Sequence, residues 1–518
     1  MPEQHVVVIG AGMGGLSSAL KLAHQGCKVT VLEASGQPGG KVHAREVAGA
    51  LIDSGPTVFT MRWVFDELLR EVGTDLESEL VIEPLDILAR HFWTDGSTLD
   101  LHADAQRSEA AIADWAGPEE ALRFRTFCAT ARRVYDTLEG PVIRSPRPEL
   151  LPLIARLGVG GLGVLTGLGP LRSLWHSMQK QFTDPRLRQL FARYATYCGS
   201  SPWQAPATLM LIAQVEMNGV WSVRGGMTAL SAMLVRLAEA RGARLRYHTR
   251  CARIVRQQGR VTGVLLDNGE YLTADAVVFN GDVAALRAGL LSEEVRSAVP
   301  RSAPPRSLSA MTWSVHAPAT GLALDRHNIF FCDDYAQEFD DLFAQRRLPR
   351  QPSVYVCAQD RPGEVAAGAA ERLFCLVNAP AIGDDDTLDE KGMALCESNS
   401  FQLLQQLGLK LAITPENCVR TTPWEFHRRF PATGGALYGQ ATHGWTTIFS
   451  RPGAQTPVRG LYLAGGSVHP GPGVPMAAMS GRLAAEALLA NLASTSVSRR
   501  TAISGGISTP SATMDSRA

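Results

Sequence analysis

Three observations predict an α/β protein in which one parallel-sheet domain is assembled from separated pieces and a second, α+β domain is inserted into it. A strand, a glycine turn, a helix and a second strand follow one another over residues 5–33. A strand, a Gly/Pro loop and a helix occupy residues 456–492. Two long stretches, 86–221 and 286–455, interrupt that pattern. The predicted division is therefore 1–85, 222–285 and 456–493 for the parallel-sheet domain and 86–221 with 286–455 for the second domain, leaving 494–518 as a disordered tail. The 518 residues are enough for two to four domains at about 150 residues each.

Each element has a local reason. Residues 5–9 (HVVVI) form a short apolar run of the buried parallel-strand type. With no basic residue ahead of it, this run reads as a strand and not as a targeting segment. A helix is expected over 14–25, with Leu16, Ala19, Leu20, Leu22 and Ala23 on one side and Gly26 as its stop. A second apolar strand, Lys28 to Leu32, ends in Glu33. Further on come a helix at 227–241, a strand at 244–248, and strands at 261–266 and 271–279 separated by the hairpin turn Asp267-Asn268-Gly269. The last piece opens with a strand at 460–464 and closes with a helix from Ala477 to about Leu492.

Composition removes several classes of function. Fifty basic and fifty acidic residues give zero net charge, which argues against a protein that holds a polyanion, nucleic acid included, by bulk electrostatics. Nine scattered cysteines, without a CxxC pair or a ligand-type His/Cys spacing, argue against both a disulfide framework and a metal site. They fit a reducing, cytoplasmic compartment. Only six basic residues are lysines (Lys21, Lys28, Lys41, Lys180, Lys391 and Lys410), so a mechanism that needs a lysine has few candidates.

The motifs begin at Gly10, Gly12 and Gly15, which give the spacing G-x-G-x-x-G. The first glycine permits the tight turn, the second lets a pyrophosphate approach the backbone, and the third lets helix and strand pack closely. The helix N-terminus then presents free N–H groups and its positive dipole end. Glu33, at the end of the second strand, can accept from both ribose hydroxyls and disfavours a 2′-phosphate. Gly39-Gly40-Lys41 and Asp53-Ser54-Gly55-Pro56 extend the cofactor path toward a flavin. Lys41 supplies a positive charge beside that path or stands as a solvated surface lysine.

Glu33 with Gly39-Gly40-Lys41 resembles the extended flavin motif of the amine oxidase, protoporphyrinogen oxidase and carotenoid desaturase superfamily. The stretch from Gly460 through Ala464-Gly465-Gly466-Ser467-Val468-His469 to Pro475 is similar to the closing motif of the bacterial-type carotenoid (phytoene) desaturases. The segment from Tyr194 to Pro206, followed by Gly219-Val220-Trp221 and Gly225-Gly226-Met227, most closely resembles the 1-hydroxycarotenoid 3,4-desaturases, the hydroxyneurosporene or methoxyneurosporene desaturases. The resemblance covers nearly the whole chain except the tail.

That resemblance implies a Rossmann-like FAD-binding domain of the amine oxidase/GDI type carrying a substrate- and membrane-facing domain. Gly10, Gly12, Gly14, Gly15 and Glu33 would hold the ADP half of FAD, and Gly40, Lys41, Gly55 and Pro56 would lie along the pyrophosphate and flavin. The strand near Cys251 would meet the adenine end through its backbone. Gly466, Gly473, Val474, Pro475 and Met476 would border the isoalloxazine and ribityl. Where many superfamily members carry an acid after Ala-Gly, this chain has Gly466, so a backbone contact to the ribityl is expected there. The closing motif has no cysteine, so FAD should be bound non-covalently.

The implied reaction is desaturation of an acyclic carotenoid, 3,4-desaturation of a 1-hydroxy or 1-methoxy neurosporene-type substrate, with hydride passing to flavin and a proton to a base or water. Such a substrate offers no carbonyl to polarise, so the enzyme's contribution is positioning in a long apolar channel. A terminal hydroxyl requires at least one polar residue at the channel's blind end. His469 is the candidate catalytic side chain, although a histidine before proline in such a loop more often serves as a structural hydrogen-bond partner. Trp203, Trp221 and Trp445 could flank a polyene or pack in the core. The electron acceptor is unknown. The rival readings are a phytoene desaturase acting on the unmodified hydrocarbon, a lysine-assisted amine oxidase, and a non-enzymatic Rab GDP-dissociation-inhibitor-like prenyl binder.

A carotenoid lives in the bilayer, which implies contact with a membrane surface. From Leu157 to Leu171 there is no charge, and six glycines fall in the stretch. It is shorter than the roughly 20 residues a spanning helix needs. It reads either as a buried Gly-rich piece of the second domain or as a dip into one leaflet.

Overall fold

The computed structural model describes residues 4–147, 172–361, 368–385 and 387–501, with isolated residues between these stretches. The first sheet has five parallel strands in the order Leu461–Leu463, Ala276–Phe279, His5–Ile9, Lys28–Leu32, Arg244–Arg246. Its central strand buries Val6, Val7 and Val8 completely, which is why that run is apolar without alternation. Each of the three predicted pieces contributes strands to it.

The predicted strand over 271–279 is in fact two strands. Tyr271–Thr273 completes a three-stranded antiparallel sheet with Cys251–Gln257 and Arg260–Leu266, whereas Ala276–Phe279 enters the parallel sheet. The break falls at Asp275, whose backbone N–H donates to the His5 carbonyl and whose carboxylate accepts from the His5 N–H at 2.9 Å. The hairpin turn stands where predicted, closed by Leu266 N–H to the Glu270 carbonyl with Gly269 at φ +87°.

The helix Met13–His24 lies against the C-terminal helix Val474–Thr501. A β-carbon on Gly481 would fall 1.9 Å from the Gly14 carbonyl oxygen, so the two helices meet backbone to backbone. The C-terminal helix starts earlier than predicted and runs past the predicted start of the tail at 494, to Thr501; residues 502–518 lie outside the described residues.

A second sheet of eight strands rises from the insertions. Its order is Lys410–Leu411, Ser309–Thr320, Ala370–Ala379, Val354–Ala358, His327–Phe330, Ile87–Phe92, Thr98–His102, with Cys418–Thr421 also pairing on Ser309–Thr320. All its pairs are antiparallel except His327–Phe330 with Ile87–Phe92. Helices of the first insertion pack in an apolar cluster whose centre is Phe124, Phe127, Phe182 and Phe191, with Phe127 and Phe191 ring centroids 4.5 Å apart. Buried hydrogen bonds join the two halves at Asp53, whose backbone pairs twice with the Gln359 amide, at 3.0 and 2.8 Å, while its carboxylate accepts from the Met227 N–H of its own half at 2.6 Å.

The nine cysteines form no disulfide. No helix among the described residues is long and apolar enough to cross a membrane, and among them no group of three or more His, Cys, Asp or Glu is placed to hold a metal ion. Apart from Gly160, Gly161 and Gly163, the uncharged stretch Leu157–Leu171 lies outside the described residues.

Candidate functional site

A cavity of about 1200 Å³ begins at the C-terminal ends of the parallel strands and runs between the two sheets. This is larger than an ordinary small-ligand pocket of roughly 300–1,000 Å³. Ligands in open α/β sheets bind at this strand edge.

The glycine turn forms one end. Gly10 takes φ +97°, and its N–H donates to the Leu32 carbonyl at 2.7 Å. Gly12 caps the helix without a side-chain bond, and the first turn carries no acid, so the helix N-terminus stays open toward the cavity. Glu33 is tied to this turn. One carboxylate oxygen accepts from Ala11 N–H at 2.8 Å, and the other from the Ser35 N–H and hydroxyl at 2.9 and 2.8 Å. A carboxylate has about four acceptor sites, which leaves room for a ligand hydroxyl. Thr249 N–H donates to the Glu33 carbonyl, which sets residues 249–252 beside it along the cavity wall.

The second glycine pair is bound to the first turn by Gly39 N–H to the Ala11 carbonyl at 2.8 Å. Lys41 is not a solvated lysine. Its ammonium donates to the Leu437 carbonyl and sits 5.1 Å from the Phe430 ring centroid. Burial lowers its pKa, with Asp282 pulling the other way and the Arg451 charge adding to the fall. Arg429 donates to the Gly40 carbonyl at 3.1 Å and to His43 Nε2 at 2.8 Å. His43 is held neutral, its pKa lowered to about 4 by burial first and then by Arg429. A β-carbon on Gly55 would lie 2.0 Å from the Lys41 carbonyl oxygen, so Gly55 is the surface on which that segment rests.

The closing loop forms the adjoining wall. Gly465 N–H donates to Ser480 Oγ at 2.7 Å, pinning the loop to the C-terminal helix. Arg451 is buried and gives its N–H groups to three carbonyls, of Tyr438, Gln440 and Gly466. No carboxylate lies within ion-pair distance of it among the described residues, and burial lowers its pKa.

Most of the predicted site residues meet here. Gly10, Gly12, Gly14, Glu33, Gly40, Lys41, Gly55, Pro56, Cys251, Gly466, Gly473, Val474, Pro475 and Met476 all line the cavity. Gly15 does not. A β-carbon on it would fall 2.0 Å from the Gly10 carbonyl oxygen, so it serves the strand–helix contact instead. His469 lines the cavity but is already engaged, with Nε2 bonded to the Ser145 carbonyl at 2.8 Å and its pKa lowered by burial to about 4. Of the three tryptophans only Trp445 reaches the cavity; Trp203 stacks on Trp175 at 4.6 Å and Trp221 packs on Phe59. Lys41 is the one lysine that lines it.

Several residues here were not read from the sequence. Asn280 donates to the Gly10 carbonyl at 3.1 Å, and β-carbons on Gly12, Gly14 and Gly15 would all press on its amide. Its place just after a parallel strand was the available signal. Nothing local marks Arg429, whose partners Gly40 and His43 lie far along the chain, or Arg451, whose partners are backbone carbonyls that no sequence pattern announces. On the second-sheet side the wall is mainly apolar but includes Arg193, Tyr197, Tyr335, Glu338, Ser353 and Tyr355. Glu338 accepts from Ser353 Oγ at 2.7 Å, and burial raises its pKa to about 7.

The profile for flavin containing amine oxidoreductases matches residues 13–489. The chain belongs to this family. Its fold is accordingly the Rossmann-like, flavin-binding α/β fold of the amine oxidoreductases with an inserted α+β domain, and the cofactor of the family is a flavin. The chain is 56% identical over 511 residues to a hydroxyneurosporene desaturase of Rubrivivax gelatinosus, covering 98% of this chain and 97% of that one. It is 31% identical to a phytoene desaturase of Neurospora crassa, covering 93% and 84%. Among solved structures, a triple mutant of putrescine oxidase superposes with a TM-score of 0.59 at 15% identity, covering 94% of this chain and 99% of that one, a likeness of fold alone. The amine oxidoreductase fold thus accounts for the strand-edge cavity.

Proposed function

We propose that this amine oxidoreductase family member is an FAD-dependent desaturase of acyclic carotenoids, which introduces the 3,4 double bond into 1-hydroxy or 1-methoxy neurosporene-type substrates. The observation that carries the reading is full-length 56% identity to a hydroxyneurosporene desaturase, against 31% to a phytoene desaturase.

The donor set suits FAD. An uncapped helix end and Arg429 would face the diphosphate, Glu33 would accept from the ribose hydroxyls, and Gly466, Gly473 and Val474 would border the ring system. Non-covalent binding is supported by the thiols at the cavity. Burial pushes Cys198 up to about 11 and Cys251 up to about 12, so neither is a thiolate at neutral pH. A bound flavin supplies a hydride acceptor. The chain's own part is to hold an extended apolar molecule along side chains such as Leu209, Ile212, Val215, Ile329, Phe374 and Leu376, and to keep water from the reacting carbons. His469, with Nε2 bonded to a carbonyl, reads as a clamp on the closing loop and not as a base.

We assign the glycine-turn and closing-loop pieces (1–85, 222–285, 456–493) to the FAD-binding domain and 86–221 with 286–455 to the substrate domain. We further propose a cytoplasmic protein that touches the membrane peripherally through Leu157–Leu171, a run without charge that holds six glycines.

The test of the cofactor assignment is reconstitution with FAD followed by denaturation and filtration. A flavin absorption spectrum and full release of FAD into the filtrate support the reading; no flavin spectrum overturns it.

A further inference from the structure

The cavity contains a cation that neither the flavin motifs nor any ion pair accounts for. Arg193 follows the helix Pro185–Ala192, is only partly buried, and lines the cavity. No carboxylate lies within ion-pair distance of it among the described residues, and its Nε has no hydrogen-bond partner. Its guanidinium stands 5.4 Å from the Tyr197 ring centroid and 6.0 Å from that of Tyr194. Glu216 is near enough to act on it electrostatically, but one Glu216 oxygen is taken by the Tyr194 hydroxyl at 2.7 Å and the other by the Tyr197 hydroxyl.

The surroundings belong to the second sheet and its helices, not to the glycine turn. The charge of Arg193 reaches His91, His327 and Tyr335. Burial lowers both histidines to about 3, joined by the charge of Arg193 at His91 and by those of Arg326 and then Arg193 at His327, so both rings are neutral. His91 Nε2, His327 Nε2 and the Tyr335 hydroxyl are buried without a hydrogen-bond partner. Beside them Tyr355 bridges Thr57 Oγ1 and His327 Nδ1, each at 2.7 Å. Of these groups Tyr335 and Tyr355 line the cavity beside Arg193, whereas His91 and His327 do not, so a polar patch on which the Tyr335 hydroxyl and Arg193 Nε are unpartnered interrupts an otherwise mainly apolar wall. Leaving such groups unfilled is costly, and a ligand oxygen relieves that cost.

We infer that Arg193 is the specificity-determining residue that donates to the terminal oxygen of the polyene substrate, selecting an alcohol or a methyl ether over the bare hydrocarbon. This inference rests on the proposed carotenoid desaturation. Arginine donates and cannot accept, so it serves an alcohol oxygen and an ether oxygen alike. The Glu216 charge nearby offsets the guanidinium, which suits a neutral oxygen better than a carboxylate. A hydrocarbon end would leave the guanidinium facing methyl groups, the mismatch by which hydrogen-bonding sites reject analogues that lack the polar group.

The test compares kcat/KM for 1-hydroxyneurosporene, its methyl ether and neurosporene in FAD-loaded wild-type protein, Arg193→Leu and Arg193→Gln, with the flavin spectrum as the check on folding. Wild type should accept alcohol and ether and disfavour the hydrocarbon. Arg193→Leu should lower the alcohol-to-hydrocarbon ratio roughly 10- to 100-fold, the size of one lost charge-assisted hydrogen bond, chiefly through KM. Arg193→Gln keeps an N–H donor and should restore part of the preference. An unchanged ratio in Arg193→Leu, or a wild type that rejects the ether as strongly as the hydrocarbon, overturns the inference while leaving desaturation intact. If the leucine variant does not fold, the glutamine variant and the wild-type preference for the ether decide. A wild type that holds FAD and desaturates none of the three overturns the parent reading and this one with it.

Discussion

Gly481 meets Gly14 so closely that a β-carbon on Gly481 would lie 1.9 Å from the Gly14 carbonyl oxygen. This contact couples the two ends of the chain. It seats the C-terminal helix on the glycine-turn helix, and through Ser480 to Gly465 it holds the closing loop over the same cavity end as Glu33. Gly481→Ala should therefore cost about 3 kcal/mol, the upper part of the usual overpacking range, because the atom it strikes is backbone. Denaturant unfolding checks the stability, and flavin retention on gel filtration should fall with it.

Glu33 accepts from Ala11 N–H on one oxygen and from Ser35 on the other. Glu33→Ala should weaken FAD retention roughly 10- to 100-fold, the size of one or more charged hydrogen bonds. Equilibrium dialysis measures it, and unchanged retention contradicts the assignment of Glu33 to the ribose.

Glu338 carries a pH signature. Burial raises its folded pKa to about 7 from an ordinary 4.5. A raised carboxyl pKa means the folded state holds the proton more tightly, so its contribution to stability is greatest below the unfolded pKa and declines as pH rises toward 7. The decline should be roughly 3 kcal/mol between pH 4.5 and 7, with little change above. Glu338→Gln should flatten that part of the stability profile, as read from urea midpoints across pH.

The zero net charge leaves no general attraction to anionic lipid, so membrane contact must be mainly apolar. Replacing Leu157 and Leu165 with Asp should release the protein from liposomes in a flotation assay and leave the flavin spectrum unchanged. Retention on the vesicles would assign the stretch to the protein's interior.

The legible parts of this molecule are those whose cause is local. The glycines at 10, 12, 15 and 39–40 are demanded by backbone geometry within a few residues, and the acid at 33 follows from the strand that carries it. The break at Asp275 was hidden because the apolar run continues on both sides, and only the distant His5 backbone decides where one sheet ends and the other begins. Arg451 and Arg193 were hidden because folding, not a local pattern, sets their surroundings. Arg451 finds the carbonyls of Tyr438, Gln440 and Gly466 through the path of the loops around it, and Arg193, beyond its neighbours Tyr194 and Tyr197, acts on groups from the strands at 87–92 and 327–330 and from the helix at 335–343. The sequence required a polar group at the end of an apolar channel but held no local sign of which one.

The most direct measurement is absorbance of the polyene after incubation of FAD-loaded protein with 1-hydroxyneurosporene, its methyl ether and phytoene. Absorption at longer wavelength, from one added conjugated double bond in the oxygenated substrates, is the predicted result. Lengthening of phytoene alone, or of none while the protein retains its flavin, would contradict the account.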